Sequence, residues 1–333
     1  LFLLAAFIVI AVRIVDLVPP RVFAALVLAV ISLDMISFRS GILPVASRSE
    51  IFPLVPVFQF LKANADPNRF RVASIGATYP SNTEMVYDLA ALDGYDLELK
   101  LAQDYLTDFG IPTTGIALNA DQIVRVNDRR LDLMNLKYLV ATVQNSSYDV
   151  LATKPNRFKL VFSQGSVRVL ENANVLPRAR FMPAVSGAVE VIPDEGRQLA
   201  RVKDPSFDAE RSVVVPAALA VRDRLNQDGA DKSANTVSFV SGAMNETVFQ
   251  IANGQPGLLV LSQIYYPGWV AFVDGKKTSV VRADYALTAV PLDSGNHTVR
   301  LAFQPSSYRI GLAISIVSCI CLAGLVVFPA RKD

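Results

Sequence analysis

The chain has 333 residues, 52% hydrophobic and 19% charged, with a formal net charge of +2 and a mean hydropathy of +0.35. That mean is too apolar for an ordinary soluble domain and too charged for a bundle of membrane helices. A near-balanced charge with no run of Lys or Arg leaves no electrostatic footprint for nucleic acid, and a single histidine, His297, excludes imidazole-rich metal centres and most catalytic triads.

The average divides into two populations along the chain. Residues 1–38 carry only Arg13, Asp16, Arg21 and Asp34 as charges, and residues 310–330 carry none. Because roughly 20 apolar residues cross about 30 Å of hydrocarbon, two transmembrane helices are expected in 1–38, over 1–18 and 21–38, with Pro19 and Pro20 in the turn. A third is expected in 309–330. Arg331 and Lys332 follow it, so the positive-inside tendency places that end in the cytoplasm and the large insert outside. The expected localisation is the cell membrane, multi-pass, with an extracytoplasmic domain. Asp16 and Asp34 fall near span ends, where they sit at the interface or face a cavity between helices. Cys319 and Cys321 lie two apart in the last span, pointing in different directions on a helix, so neither a disulfide nor a metal clip is expected. The chain starts at Leu1 within an apolar run that lacks the order of a signal peptide, and it reads as the tail of a longer membrane protein.

A linker, 39–58, carries Pro44, Pro53 and Pro56. An α/β subdomain over 59–175 follows, with a strand at 69–75, helices at 84–92 and 96–109, a short helix at 131–135, and strands at 136–143, 158–162 and 167–171. From 176 to 308 the chain changes character. After 178–182 and a helix at 194–203 come strands at 211–215, 236–240, 246–252, 257–265, 269–273, 278–282, 286–291 and 297–303, separated by turn signals such as Pro267-Gly268 and Asp274-Gly275. The expected fold class is α+β and membrane-anchored: transmembrane helices flanking an extracytoplasmic α/β unit, followed by an antiparallel β-sandwich.

Few side chains suggest chemistry. Asp104 and Asp108, four apart on a helix, share a face as an acid/base pair does, or as an ordinary solvated face does. Asp96, beside Asp93, Tyr95 and Glu98, either caps the following helix through its carboxylate or contacts a sugar or divalent ion. Tyr265, Tyr266 and Trp269 offer a stacking platform for a pyranose face, although strand alternation sends the adjacent tyrosines to opposite sides and at least one into the core. The substrate-binding candidates are therefore Tyr95, Asp96, Tyr266 and Trp269, with no catalytic or metal-ligating candidate. His297 takes a turn or surface role, and Asp274-Gly275 a hairpin turn. Asn-x-Ser/Thr triplets at Asn145, Asn245 and Asn296 matter only in a eukaryotic secretory pathway.

The run from Leu258 to Ser315 contains YYPGW at 265–269, VDG at 273–275, RADYAL at 282–287, H-x-V at 297–299 and P-x-S-Y at 305–308. In this it resembles the carboxy-terminal signature of the bacterial YfhO family of polytopic membrane proteins. GYD at 94–96, NLKYLV at 135–140 and NVLPRARFM at 174–182 agree in the same order, so the resemblance runs from about Leu33 onward. It implies kinship with GT-C membrane glycosyltransferases that take a lipid-linked sugar donor, a polyprenyl-phosphate sugar, and modify envelope polymers such as teichoic acids. In those enzymes the catalytic acid lies in the first extracytoplasmic loop, which has no counterpart here, so no catalytic residue carries over. The implied role is an acceptor-positioning or structural module, with no cofactor of its own. Its implied partners are the membrane, upstream transmembrane helices of the same protein, and envelope polysaccharide or polyprenyl-phosphate sugar. The alternative is a non-catalytic envelope-binding or assembly protein. An autonomous hydrolase is disfavoured because no nucleophile/base pair is visible.

Overall fold

A computed structural model describes residues 2–42, 46–75, 78–80, 82–92, 99–106, 129–144, 146–185, 187–217, 236–243, 245–253 and 255–327. Its contacts divide it into two units, Leu1–Leu54 and Val55–Asp333.

The first unit is helical. Helix α1 (Phe2–Ile14) packs on α2 (Pro20–Ile42). Between them Asp16 adopts φ +52° and pairs with Arg13, and Pro20 opens α2 where a missing amide hydrogen costs nothing. The helix expected at 21–38 is present but runs on to Ile42, into the expected linker, because the first strong stop signal is Pro44. Helix α3 (Arg48–Ile51) begins with a capping box: Glu50 N donates to Ser47 Oγ at 3.3 Å, and Ser47 N donates to Glu50 Oε2 at 2.7 Å. Among the described helices only α2, over Pro20–Phe38, is both long and apolar enough to cross a membrane. Phe2–Ile14 and Ser306–Leu322 are shorter apolar helices.

In the second unit α4 (Pro56–Asn64) replaces the end of the expected linker. Pro56 is a helix-starting N1 residue there, and Val57, Phe58 and Leu61 form its buried stripe. Strand β1 (Arg71–Ser74) is followed by α5 (Thr83–Val86), much shorter than the helix expected at 84–92. Asp88 turns the chain with φ +59°, and the next residues run beside β1, with Val72 N donating to Ala90 O at 2.8 Å and Leu92 N to Val72 O at 2.9 Å. Apolar Leu89 and Leu92 thus serve a sheet edge, which a helical periodicity count does not separate from a helix face. Helix α6 (Lys100–Leu106) is the described part of the helix expected at 96–109. Then follow α7 (Arg130–Leu133), β2 (Leu136–Thr142), α8 (Ser146–Ala152), β3 (Phe158–Gln164) and β4 (Val167–Asn172). The sheet order is β1-β2-β4-β3, with β1 parallel to β2 and the other pairs antiparallel. Its two faces differ. One meets α4 through Val72, Tyr138, Val140 and Val169, and the other carries Ala73, Leu139 and Leu170 into a larger cluster that also holds Val214, Tyr285 and Leu287.

The chain continues through β5 (Ala179–Pro183), β6 (Val189–Val191), α9 (Glu195–Lys203) and β7 (Val213–Val215). Asp194 caps α9, accepting from Arg197 N at 2.8 Å. Strand β6 was not expected; it pairs parallel with β7 across α9, a crossover unit set within an otherwise antiparallel region. The remaining strands are β8 (Thr236–Ala243), β9 (Glu246–Asn253), β10 (Gly257–Ile264), β11 (Trp269–Val273), β12 (Lys276–Thr278), β13 (Val281–Ala283), β14 (Leu287–Leu292) and β15 (Gly295–Phe303), before helix α10 (Ser306–Val327). They form the antiparallel orders β13-β14-β10-β5 and β12-β11-β15-β9-β8. The single strand expected at 278–282 is two, because the chain changes sheet between Thr278 and Val281. Alternation along β10 shows how the layers share side chains: Leu259 and Leu261 join Ile251, Ala271 and Val299 of the other sheet, whereas Leu258 and Val260 join Val213 and Val215 of β7. A strand buried on both faces explains the unbroken apolar run at 257–261.

Candidate functional site

Four candidates came from residue type alone. Tyr95 and Asp96 lie outside the described residues. Tyr266 is 42% exposed, with its ring tilted at 36° against Phe303, 6.1 Å away. Trp269 packs on the same Phe303 ring from 5.2 Å. The turn holding them is built on Gly268, at φ +114°, where a Cβ would come within 2.9 Å of that Phe303 ring. The two rings therefore share a support rather than forming one flat platform, and Trp269 lines a cavity.

That cavity, of about 130 Å³, is bounded by Trp269, Glu246, Phe249, Ser262, Gln263 and Arg178. A larger one, of about 420 Å³, adjoins it, sharing Arg178 and Phe249 and adding Asn68, Arg69, Phe70, Ser238 and Phe239. Three register irregularities border this double cleft: at Arg71/Val72 in β1, at Leu261/Ile264 in β10, and at Phe239/Ser241 in β8. Bulges free a strand from its ladder and re-aim side chains, which is how Ser262 and Gln263 leave the apolar alternation of β10 to face polar space. Close approach at Gly242, where a Cβ would lie 2.7 Å from Asn68 Oδ1, sets the cleft wall beside β8.

The cleft lining holds Arg69 and Arg178, with Arg71 behind Ser262, and also the carboxylate of Glu246. Arg71, buried within β1, donates from Nη1 to Ser262 Oγ at 2.6 Å and to Met134 O at 2.8 Å. Arg178 follows Pro177, bonds through Nη1 to Pro67 O at 2.5 Å, and has its backbone fixed by Ser262 N donating to Arg178 O at 2.8 Å. Burial, with the like charge of Arg178 as the smaller cause, holds the Arg71 guanidinium well below its usual range. Burial also lowers Arg178, against an opposing pull from Asp66. Among the described residues neither arginine has a carboxylate within ion-pair distance. Arg69 adds positive charge over the Phe70 ring, 5.6 Å from its centre.

The signature residues of the carboxy-terminal run take structural posts. Asp284 is fully buried, pairs with Arg180 and accepts from Val214 N at 2.9 Å, while its own amide donates to Val214 O at 2.7 Å. Burial pushes its carboxyl up, and Arg180 opposes that push. Tyr285 Oη donates to Asp104 Oδ2 at 3.0 Å, so Asp104 is engaged in a packing contact; its expected partner Asp108 lies outside the described residues. Asp274, at φ +49° before Gly275 at +81°, accepts from Thr298 N at 2.8 Å and lies 2.7 Å from His297 Nδ1. His297 Nε2 also lies 3.1 Å from Asp293 O, so the ring bridges the Asp274 and Asp293 turns. Among the described residues no group of three His, Cys, Asp or Glu side chains converges as a metal site.

Sequence reasoning missed Arg71, Arg178, Ser262 and the Phe239–Phe249 wall. Alternation in the RFRVASI strand reads Arg71 as a solvent-facing position beside Arg69.

Residues 222–315, which include β8 to β15 and the start of α10, match the family model described as bacterial membrane protein YfhO. No curated protein and no solved structure matches the chain.

Proposed function

We propose, from the match of residues 222–315 to the family model described as bacterial membrane protein YfhO, that the chain belongs to that family and that residues 59–308 form an extracytoplasmic module of a membrane glycosyltransferase. In this reading the two antiparallel sheets are a β-sandwich, held outside the membrane by α2 and α10. The module positions a saccharide of an envelope polymer, such as a teichoic acid, near a polyprenyl-phosphate sugar donor held by transmembrane helices of the same protein. The supporting observation is the double cleft: Trp269, Phe249 and Phe239 offer apolar ring faces beside the hydrogen-bonding groups of Asn68, Ser238, Gln263 and Arg178. Sugars need that mixture, because their C–H faces pack on aromatic rings while their hydroxyls require polar partners. Tyr95 and Asp96 stay in the proposal as sugar contacts.

The test is Trp269→Ala, separately combined with Gln263→Ala, in the protein in its native bacterium, followed by sugar analysis of the envelope polymer. The expected result is reduced polymer glycosylation with normal protein level and membrane insertion. Unchanged glycosylation overturns the reading.

One observation favours a second reading, a non-catalytic envelope-binding or assembly protein: Asp104, half of the expected acid/base pair, is tied to Tyr285. On this reading the same variants lower the amount of polymer retained at the membrane and leave its sugar content per polymer unchanged.

A further inference from the structure

Several arginines elsewhere in the unit meet a carboxylate. Arg129 and Arg157 converge on buried Asp132, at 2.9 and 3.5 Å; Arg201 pairs with Glu190 at 2.7 Å and Arg282 with Glu195 at 2.9 Å. Arg180 has Asp284. Among the described residues Arg71 and Arg178 have no carboxylate within ion-pair distance. They are close enough for like-charge repulsion, they share the partner Ser262 through side chain and backbone respectively, and Asp66 acts on Arg178 through space. Asp66 is itself exposed and occupied by Asn68 N at 2.9 Å. Glu246, at the cleft rim, is held by Arg300 at 2.8 Å. A buried cation without a counter-charge is costly unless something anionic arrives to meet it. Arg178 lines both cavities, so the compensating anion has a place to sit.

We propose that the Arg178 end of the double cleft is a phosphate-group subsite, in which Arg178 contacts the phosphoryl oxygens directly and buried Arg71 adds charge from behind. The aromatic wall beside it selects a phosphate attached to a sugar ring over a bare anion. Planar guanidinium suits the acceptor geometry of phosphate, and charge-assisted bonds of this type are the strong ones. Arg71 is a positioning residue, held by Ser262 Oγ and Met134 O. The subsite rests on the charge arrangement alone, and it draws on the saccharide-positioning reading only for the identity of the attached ring.

The experiment uses the full chain in zwitterionic-lipid nanodiscs, with calorimetric titration of glucose 1-phosphate, inorganic phosphate and methyl glucoside. A separate arm adds phosphatidylcholine vesicles with and without polyprenyl phosphate. Glucose 1-phosphate is expected to bind saturably, with affinity lowered about tenfold or more by Arg178→Gln, partly restored by Arg178→Lys, and unchanged by Arg168→Gln, at a residue that is not among those lining the cleft. Ser262→Ala, which loosens Arg71, is expected to weaken phosphate binding and leave methyl glucoside alone. Saturation only by vesicle-borne polyprenyl phosphate also supports the subsite and makes a lipid headgroup the source; saturation by free sugar phosphate makes it a soluble or polymer phosphate. No phosphate binding in either arm, methyl glucoside binding as tightly as its phosphate, or an Arg178→Gln variant with wild-type affinity each overturns the proposal. Methyl glucoside binding without phosphate preference would defeat the subsite while leaving the saccharide reading intact. Phosphate binding with normal polymer glycosylation in Trp269→Ala would do the reverse.

Discussion

Strand β5 begins beside one arginine and contains another, Arg178 and Arg180, two residues apart and treated oppositely by their surroundings. At the Asp284 corner the charge is closed: Arg180 meets Asp284 and the Ala209 and Ser212 carbonyls, and Asp284 also takes the Val214 amide. At the cleft the charge is open: Arg178 meets the Pro67 carbonyl and a second arginine, and among the described residues no carboxylate lies within ion-pair distance of it, Asp66 acting only through space. The corner has the completeness expected of a part that maintains the fold, tying β5, β7 and the turn before β14 together. The cleft carries an unbalanced charge that folding alone does not require. On the proposed reading, stability and function occupy different ends of one short strand.

The comparison breaks most visibly at the corner. Asp284→Ala strands the buried Arg180 charge and the Val214 amide, and is expected to destabilise the second unit by about 3–5 kcal/mol. A denaturant or thermal midpoint close to wild type would show that the corner is not a staple. The same logic gives the opposite sign at the cleft: Arg178→Gln removes a charge that burdens Arg71, so without ligand it is expected to leave stability unchanged or raise it by about 1 kcal/mol. A loss comparable to that of Asp284→Ala would mean that the cleft, too, is structural.

The corner and the cleft were unequally legible in the sequence. The RADYAL run, read alone, marks a turn with an acid in it, and the strands on either side alternate clearly enough to be placed. Arg71 is different. Its strand shows simple alternation, in which an arginine reads as a solvent-facing position, and it is buried by Ser262, 191 residues away. No local pattern carries that information. The parallel β6–α9–β7 unit was hidden for a related reason: a three-residue strand such as Val189–Val191 has too few positions to show a period. Trp269 was found by residue type, yet the ring that lines the cleft with it is Phe249 rather than Tyr266. Helix α4 was legible in principle, since a proline followed by an apolar stripe is a start signal as well as a linker signal.

A smaller effect is expected where the closed pattern reaches the surface. Asp274→Ala removes the acceptor of Thr298 N and of His297, at an expected cost of about 1 kcal/mol or less in an exposed setting. The His297 contact first, and the Thr298 amide second, hold the Asp274 carboxyl below its ordinary value. A carboxyl depressed in the folded state contributes stability above its unfolded pKa and loses it as pH falls through the folded one. The difference between wild type and Asp274→Ala should therefore be constant at neutral pH and vanish under strong acid. A gap that instead grows on acidification would contradict the pairing.

The smallest expected effect sharpens the comparison at the edge of the corner. Tyr285 follows Asp284, adopts φ +69° and reaches Asp104 on α6. Burial, together with the Asp104 carboxylate, pushes its phenol up from 10.0 to about 12. A group whose folded pKa is raised contributes stability below its unfolded pKa and loses it as pH climbs through the folded one. Tyr285→Phe deletes a single partly exposed hydrogen bond and keeps the ring stacked on Tyr105, 6.4 Å away, so its cost near neutral pH is expected to be about 0.5–1 kcal/mol. Ultraviolet titration of phenolate formation provides the more direct check: the variant should lose one tyrosine from the late end of the curve and none from the early end. Loss from the early end would place Tyr285 in water and detach α6 from the turn that Asp284 holds.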